Sequence, residues 1–102
     1  MTNCIIIITT TDTLARAKNI AHSIVEARLS KCVQISKINS VYEWEGKIEE
    51  GEEYRLFIKA PRCNEKAVCY KVVALHNYSL PQIVTLNIDG GSKPYLDWIE
   101  GM

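Results

Sequence analysis

The chain has 102 residues, 47% of them apolar and 24% charged, with twelve basic and twelve acidic side chains that cancel. This length supports one domain over residues 1–102 with one core, and the composition is that of an ordinary globular protein. The neutral balance excludes the electrostatic footprint of a nucleic-acid binder and leaves little repulsion between copies.

Cys4 to Thr10 is continuous and β-branched, and predicts a strand buried on both faces. Thr11, Asp12 or Thr13 supplies a helix cap. Leu14, Ala17, Ala21, Ile24, Val25 and Leu29 then recur at helical spacing, opposite Arg16, Lys18, Asn19, His22, Ser23 and Glu26. Lys31 to Trp44 is strand-like. Its apolar register changes between Val33/Ile35 and Ile38/Val41, which predicts a bulge or bend near Ser36-Lys37. Glu45-Gly46 makes a turn. The acidic stretch Glu49 to Glu53 reads as a solvated tip. The return strand then places Tyr54, Leu56, Ile58 and Ala60 on one face and Arg55, Phe57 and Lys59 on the other.

Pro61 ends that strand and Asn64 is a plausible cap. Glu65 to His76 reads as a second helix with Val68, Val72 and Leu75 inward. Ile83 to Ile88 is a further strand, Gly90-Gly91-Ser92 a turn, and Pro94 to Ile99 a short terminal helix. The order predicts an α+β, ferredoxin-like βαββαβ(α) sandwich, an antiparallel sheet with two helices on one face. The other face is then bare and apolar, which predicts burial against further copies of the chain.

The longest aliphatic run, Ile5 to Ile8, is far too short to span a membrane, so no membrane partner is expected. The chain opens without a basic n-region or a cleavable apolar stretch. None of Cys4, Cys32, Cys63 and Cys69 forms a C-x-x-C pair. These features predict a cytoplasmic protein with reduced thiols. Phosphate-loop, zinc-protease, nucleophile-elbow and RNA-recognition signatures are missing, as is the glycine-rich loop of acylphosphatases, where Thr9-Thr10-Thr11 stands. No enzyme is expected. The one nucleophile worth testing is Cys32, a strand-end thiol near a lysine. Cys69 and His76 lie seven residues apart on the second helix, about 10 Å, too far to share an ion.

Two segments are specific. Tyr42-Glu43-Trp44-Glu45-Gly46-Lys47-Ile48-Glu49 is a Trp-bearing hairpin, and His76-Asn77-Tyr78-Ser79-Leu80-Pro81-Gln82-Ile83 joins helix to strand. With Cys32-Val33-Gln34, Phe57-Ile58-Lys59-Ala60 and Tyr95-Leu96-Asp97-Trp98, they resemble the CutA family of divalent-ion tolerance proteins over nearly the whole chain. The resemblance implies a homotrimer whose hairpin strands pair across subunits, a cytoplasmic location, and a role in the response to metal ions, copper included. It also implies likeness to PII-type trimers, which bind small ligands in clefts between subunits. The alternative function is therefore a PII-like sensor of an anionic small molecule.

The cleft residues that the resemblance implies are Cys32, Tyr42, Trp44, Lys59, Tyr78 and Gln82. No cofactor is required by the resemblance, but a divalent metal such as copper is an implied ligand, with His76 as the candidate donor. Two positions depart from the family pattern: Asn77 stands for its usual Pro and Gln82 for its usual Glu. The copper pattern of bacterial members reads Thr9 and Leu75-His76 here.

Overall fold

The computed structural model describes residues 2–101. The elements are β1 (Cys4–Thr11), α1 (Leu14–Glu26), β2 (Cys32–Trp44), β3 (Lys47–Pro61), a 3-10 turn (Arg62–Asn64), α2 (Glu65–Leu75), β4 (Val84–Asn87) and α3 (Lys93–Glu100). They form a single antiparallel sheet in the order β2-β3-β1-β4. This is the predicted ferredoxin-like plan.

Strand alternation sorts the sheet into two faces. Ile5, Ile7 and Thr9 on β1 face the same way as Leu56, Ile58 and Ala60 on β3, and all six are fully buried. Ala17, Ile20, Ala21 and Ile24 of α1 and Val68 and Val72 of α2 close this side. Thr13 caps α1, its hydroxyl accepting from the Arg16 amide at 3.1 Å. On α1 the inward stripe includes Ile20, while Leu14 and Val25 sit at its margins, each 41% exposed. Leu29 lies beyond the helix end, half-buried against the core.

The opposite face is open over most of its area. Ile6 pairs with Leu86, and Ile8 with Val84 and Phe57, so these five side chains form one apolar surface. None of the five is fully buried, so β1 is not covered on both sides as its composition predicts. Only its two ends are: Cys4 lies under α3, its thiol 3.6 Å from the Leu96 carbonyl, and Thr10, 5% exposed, lies at the end where His76 bonds its carbonyl.

The predicted bulge is absent. β2 and β3 pair without interruption from Cys32↔Lys59 to Trp44↔Lys47. The changed apolar register has another cause. Residues 41–52 lie beyond the helices with both faces exposed, so neither face there has to be apolar. The turn is a two-residue type I′, with Glu45 at φ 51° and Gly46 at φ 79°. Two boundaries are shorter than expected: α2 stops at Leu75, and β4 covers only Val84–Asn87.

Candidate functional site

α2 ends because His76 leaves helical backbone, at φ −81° and ψ 150°. The chain then crosses the end of β1 and is pinned there. The Tyr78 amide donates to His76 Nδ1 at 3.2 Å, so Nδ1 carries no proton. Nε2 is therefore the protonated nitrogen, and it donates to the Thr10 carbonyl at 2.7 Å. Asn77 Nδ2 donates to Asp12 Oδ2 at 2.9 Å, and this bond is the main cause that holds the Asp12 carboxyl below its usual range. Arg16 Nη1 donates to the Leu75 carbonyl at 3.0 Å.

Tyr78 is carried by these ties onto the open-face side, where its hydroxyl donates to Glu53 Oε2 at 2.9 Å. Burial first, and the Glu53 carboxylate second, push the Tyr78 phenol well above the ordinary tyrosine value. Around this pair lies a cavity of about 560 Å³. The hairpin supplies Tyr42, Glu43 and Trp44 as one wall, and the 77–82 segment supplies the other, including Leu80 and Gln82. Its charged lining residues, Glu43 and Glu53, are both acidic.

Four of the six implied cleft residues thus meet: Tyr42, Trp44, Tyr78 and Gln82. Cys32 and Lys59 do not join them. They face each other across β2 and β3 at the far end of the sheet. Lys59 is six residues along β3 from Glu53, on the order of 20 Å away. There Lys59 Nζ donates to the Tyr95 hydroxyl at 3.1 Å and sits 5.1 Å from that ring's centroid. Nearby, Lys31 Nζ lies 5.4 Å from the Trp98 ring centroid.

Sequence reasoning missed Glu53 and Tyr95. Glu53 stood inside an acidic run read as a solvated tip, and only the even spacing of Glu53, Arg55, Phe57 and Lys59 puts it on the face that matters. Tyr95 lay in one of the segments that carry the resemblance, but nothing there tied it to Lys59, which lies 36 positions away in sequence.

The donor set around His76 does not suit a resident copper ion. Both of its ring nitrogens are used inside the chain, and Thr9 points to the helix-covered face with its hydroxyl buried and unpartnered. Among the described residues no three or more His, Cys, Asp or Glu side chains gather as a metal site. The four cysteines are free, and burial raises the thiol pKa of Cys4 and Cys69. No helix of the described residues is long and apolar enough to cross a membrane.

Residues 5–102 match the model of the CutA1 divalent ion tolerance protein family. Mouse protein CutA is 40% identical over 84 residues, covering 81% of this chain and 48% of the relative. The Arabidopsis thaliana chloroplastic protein CutA is 38% identical, covering 94% of this chain and 53% of that one. The chain therefore spans about half the length of these two relatives. The structure of the periplasmic divalent cation tolerance protein CutA from Archaeoglobus fulgidus superposes with a TM-score of 0.91 at 36% identity, covering 94% of each chain. These similarities bear out the resemblance and the fold. They overturn the expected cytoplasmic location: one similar protein is described as periplasmic and another as chloroplastic, so the absence of a leader pattern and of C-x-x-C pairs does not fix a compartment.

Proposed function

The chain belongs to the CutA1 divalent ion tolerance protein family, and from that membership we propose that it serves tolerance of divalent cations as a homotrimeric binding module, not as an enzyme. The observation that carries the assembly is the open sheet face. Ile6, Ile8, Phe57, Val84 and Leu86 form a contiguous apolar surface that one chain leaves to water. The strands β2 and β4 at the two ends of the sheet order present unpaired backbone edges, and a long hairpin reaches past the core. Three copies closing these surfaces on one another also explain the divided cleft: Cys32 and Lys59 of one copy meet the hairpin pocket of the next. Light scattering is the test. The expected mass is three times the 11.6 kDa of the chain, and a monomer at micromolar concentration overturns the reading.

A second reading, a PII-like sensor of an anionic small molecule, is favoured by Lys59. Among the described residues its ammonium meets a phenol and no carboxylate, so an anion is the missing counter-charge. Calorimetry with inorganic phosphate on the wild type and Lys59→Met checks it. Binding lost in the variant, with the mass unchanged, supports the reading, and equal behaviour of the two removes it.

A further inference from the structure

Charge cancels over the whole chain but not within its parts. Residues 41–53 of the hairpin carry six glutamates against Lys47, whereas α1 and α2 carry Arg16, Lys18, Lys66 and Lys71 against Glu26 and Glu65. We propose that the outward face of α2, in this basic layer, docks an acidic amphipathic helix of another protein.

The two helices differ on the side away from the sheet. α1 exposes Lys18, Asn19, His22 and Glu26, all at home in water. α2 buries Val68 and Val72 toward the sheet, yet exposes Ala67, Tyr70, Val73 and Ala74 on the other side. At about 100° per residue these four fall within about 120° of one another, opposite the buried pair. Tyr70 is 82% exposed and Val73 57%. A helix that is apolar on both sides suits burial on both. An apolar patch edged by charge marks a docking surface, and an exposed tyrosine is a common anchor in one. The trimer does not supply the cover. It closes the open face, and this stripe lies on the far side of the helical layer, apart from every lining residue of the hairpin cleft.

The rim sets the partner's charge. Lys66 is exposed in the first turn of the stripe and Lys71 stands at its margin, and neither ammonium makes a salt bridge among the described residues. Carboxylates on either side of an apolar ridge would meet both. The stripe's shape sets the partner's form. It is about two turns long and one helix wide, which fits the ridge of a single helix. A second copy's α2 would bring the same lysines. A lipid surface would have to take α1 as well, whose outward side is polar.

The probe is a synthetic helix of about 15 residues, near the length at which an isolated helix holds. Leucines recur in it at helical spacing, flanked by glutamates, and a counterpart carries lysines in their place. Each is labelled with fluorescein and titrated with the whole chain, and anisotropy is read. The glutamate helix is expected to bind with a Kd on the order of 10–100 µM, as for a small transient contact. The lysine helix is expected not to bind. Tyr70→Ser and Lys66→Glu should each weaken binding about tenfold or more. Both positions are exposed, so circular dichroism and mass should stay those of the wild type. Should one variant lose them, the other carries the test. Loss in both would show that the stripe is already covered within the protein and would overturn the proposal. Lys93→Glu makes the same charge change on α3 and should leave binding as it was, which separates this face from net charge.

Binding of both helices alike, of neither, or of the glutamate helix unchanged in both α2 variants overturns the proposal. So does sedimentation with vesicles of phosphatidylcholine and phosphatidylserine in equal parts that Tyr70→Ser abolishes, which assigns the face to a membrane. A mass above the trimer that Tyr70→Ser reduces also overturns it and assigns the face to a second copy. The trimer itself is judged separately, by the mass of the wild type alone.

Discussion

The two faces of one sheet differ in kind although the same strands build them. On the helix-covered face, Ile5, Ile7, Leu56 and Ile58 are fully buried within a single chain. On the open face, Ile6, Ile8 and Phe57 alternate with them along the same backbone and stay partly in water. The first face is completed by local connections, since each helix follows its strand and folds back onto it. The second is covered only at its ends, by α3 over Cys4 and by the loop after α2 over Thr10. If the proposed trimer forms through the open face, subunit stability and assembly fall to alternate residues of β1 and β3, and substitutions one position apart should separate them.

The largest effect is expected on the covered face. Leu56→Ala removes a side chain with no exposure and should lower unfolding stability by about 2–5 kcal/mol in a denaturant titration. A cost under about 1 kcal/mol would show that the two faces are not so different. Phe57→Asp, the next residue, should act on mass before it acts on fold. Light scattering should show smaller species while circular dichroism keeps the helix and sheet signals. Loss of both together would mean that the subunit does not fold without its neighbours and would break the comparison.

Tyr78→Phe probes the seam where the loop after α2 meets the open face. It deletes the hydroxyl that donates to Glu53, and should cost about 1–2 kcal/mol, as expected for a partly buried bond to a charged acceptor. The pH dependence gives the sign. The Tyr78 pKa is raised in the folded state, so the folded chain holds this proton more tightly than the unfolded chain. The contribution is fully present below the ordinary tyrosine value near 10 and falls as pH rises above it. The stability difference between wild type and Tyr78→Phe should shrink across that alkaline window, and a difference that stays constant there would show that the Tyr78 pKa is not raised by its surroundings.

The smallest effect is expected at Asn77. Its bond to Asp12 lowers that carboxyl's pKa, so stability from this tie is present above the ordinary aspartate value near 4 and is lost as pH falls through the lower, folded value. Asn77→Ala should cost a few tenths of a kcal/mol at neutral pH, in line with an exposed side-chain pair, and that cost should vanish once the pH has fallen through the lowered Asp12 value. A cost unchanged in acid would assign the effect to the loop backbone instead.

Much of this was legible in the chain itself. The run Cys4 to Thr10, the spacing of Ala17, Ala21 and Ile24, and the alternation from Tyr54 to Ala60 gave the elements and the sheet plan because each obeys one period throughout. The Trp-bearing hairpin and the His76 segment marked the pocket, since both put aromatic and polar side chains where regular structure ends. The bulge at Ser36-Lys37 was misread because alternation carries information only where one face is dry, and from residue 41 outward the hairpin has no dry face. Glu53 was lost in an acidic run, because composition does not say which of several neighbouring carboxylates a distant tyrosine will reach.

What the sequence determined alone is what depends on neighbours in the chain: the periods, a cap among Thr11, Asp12 and Thr13, the Glu45-Gly46 turn and the order of elements. What only the tertiary structure decided depends on registers between distant strands. The pairing of Cys32 with Lys59, and of Glu53 with Tyr78, places four of six expected cleft residues in one pocket and leaves two at the far end of the sheet. The physical reason is that strand register is fixed by the summed burial of the whole covered face, and the open-face side chains are carried wherever that register puts them.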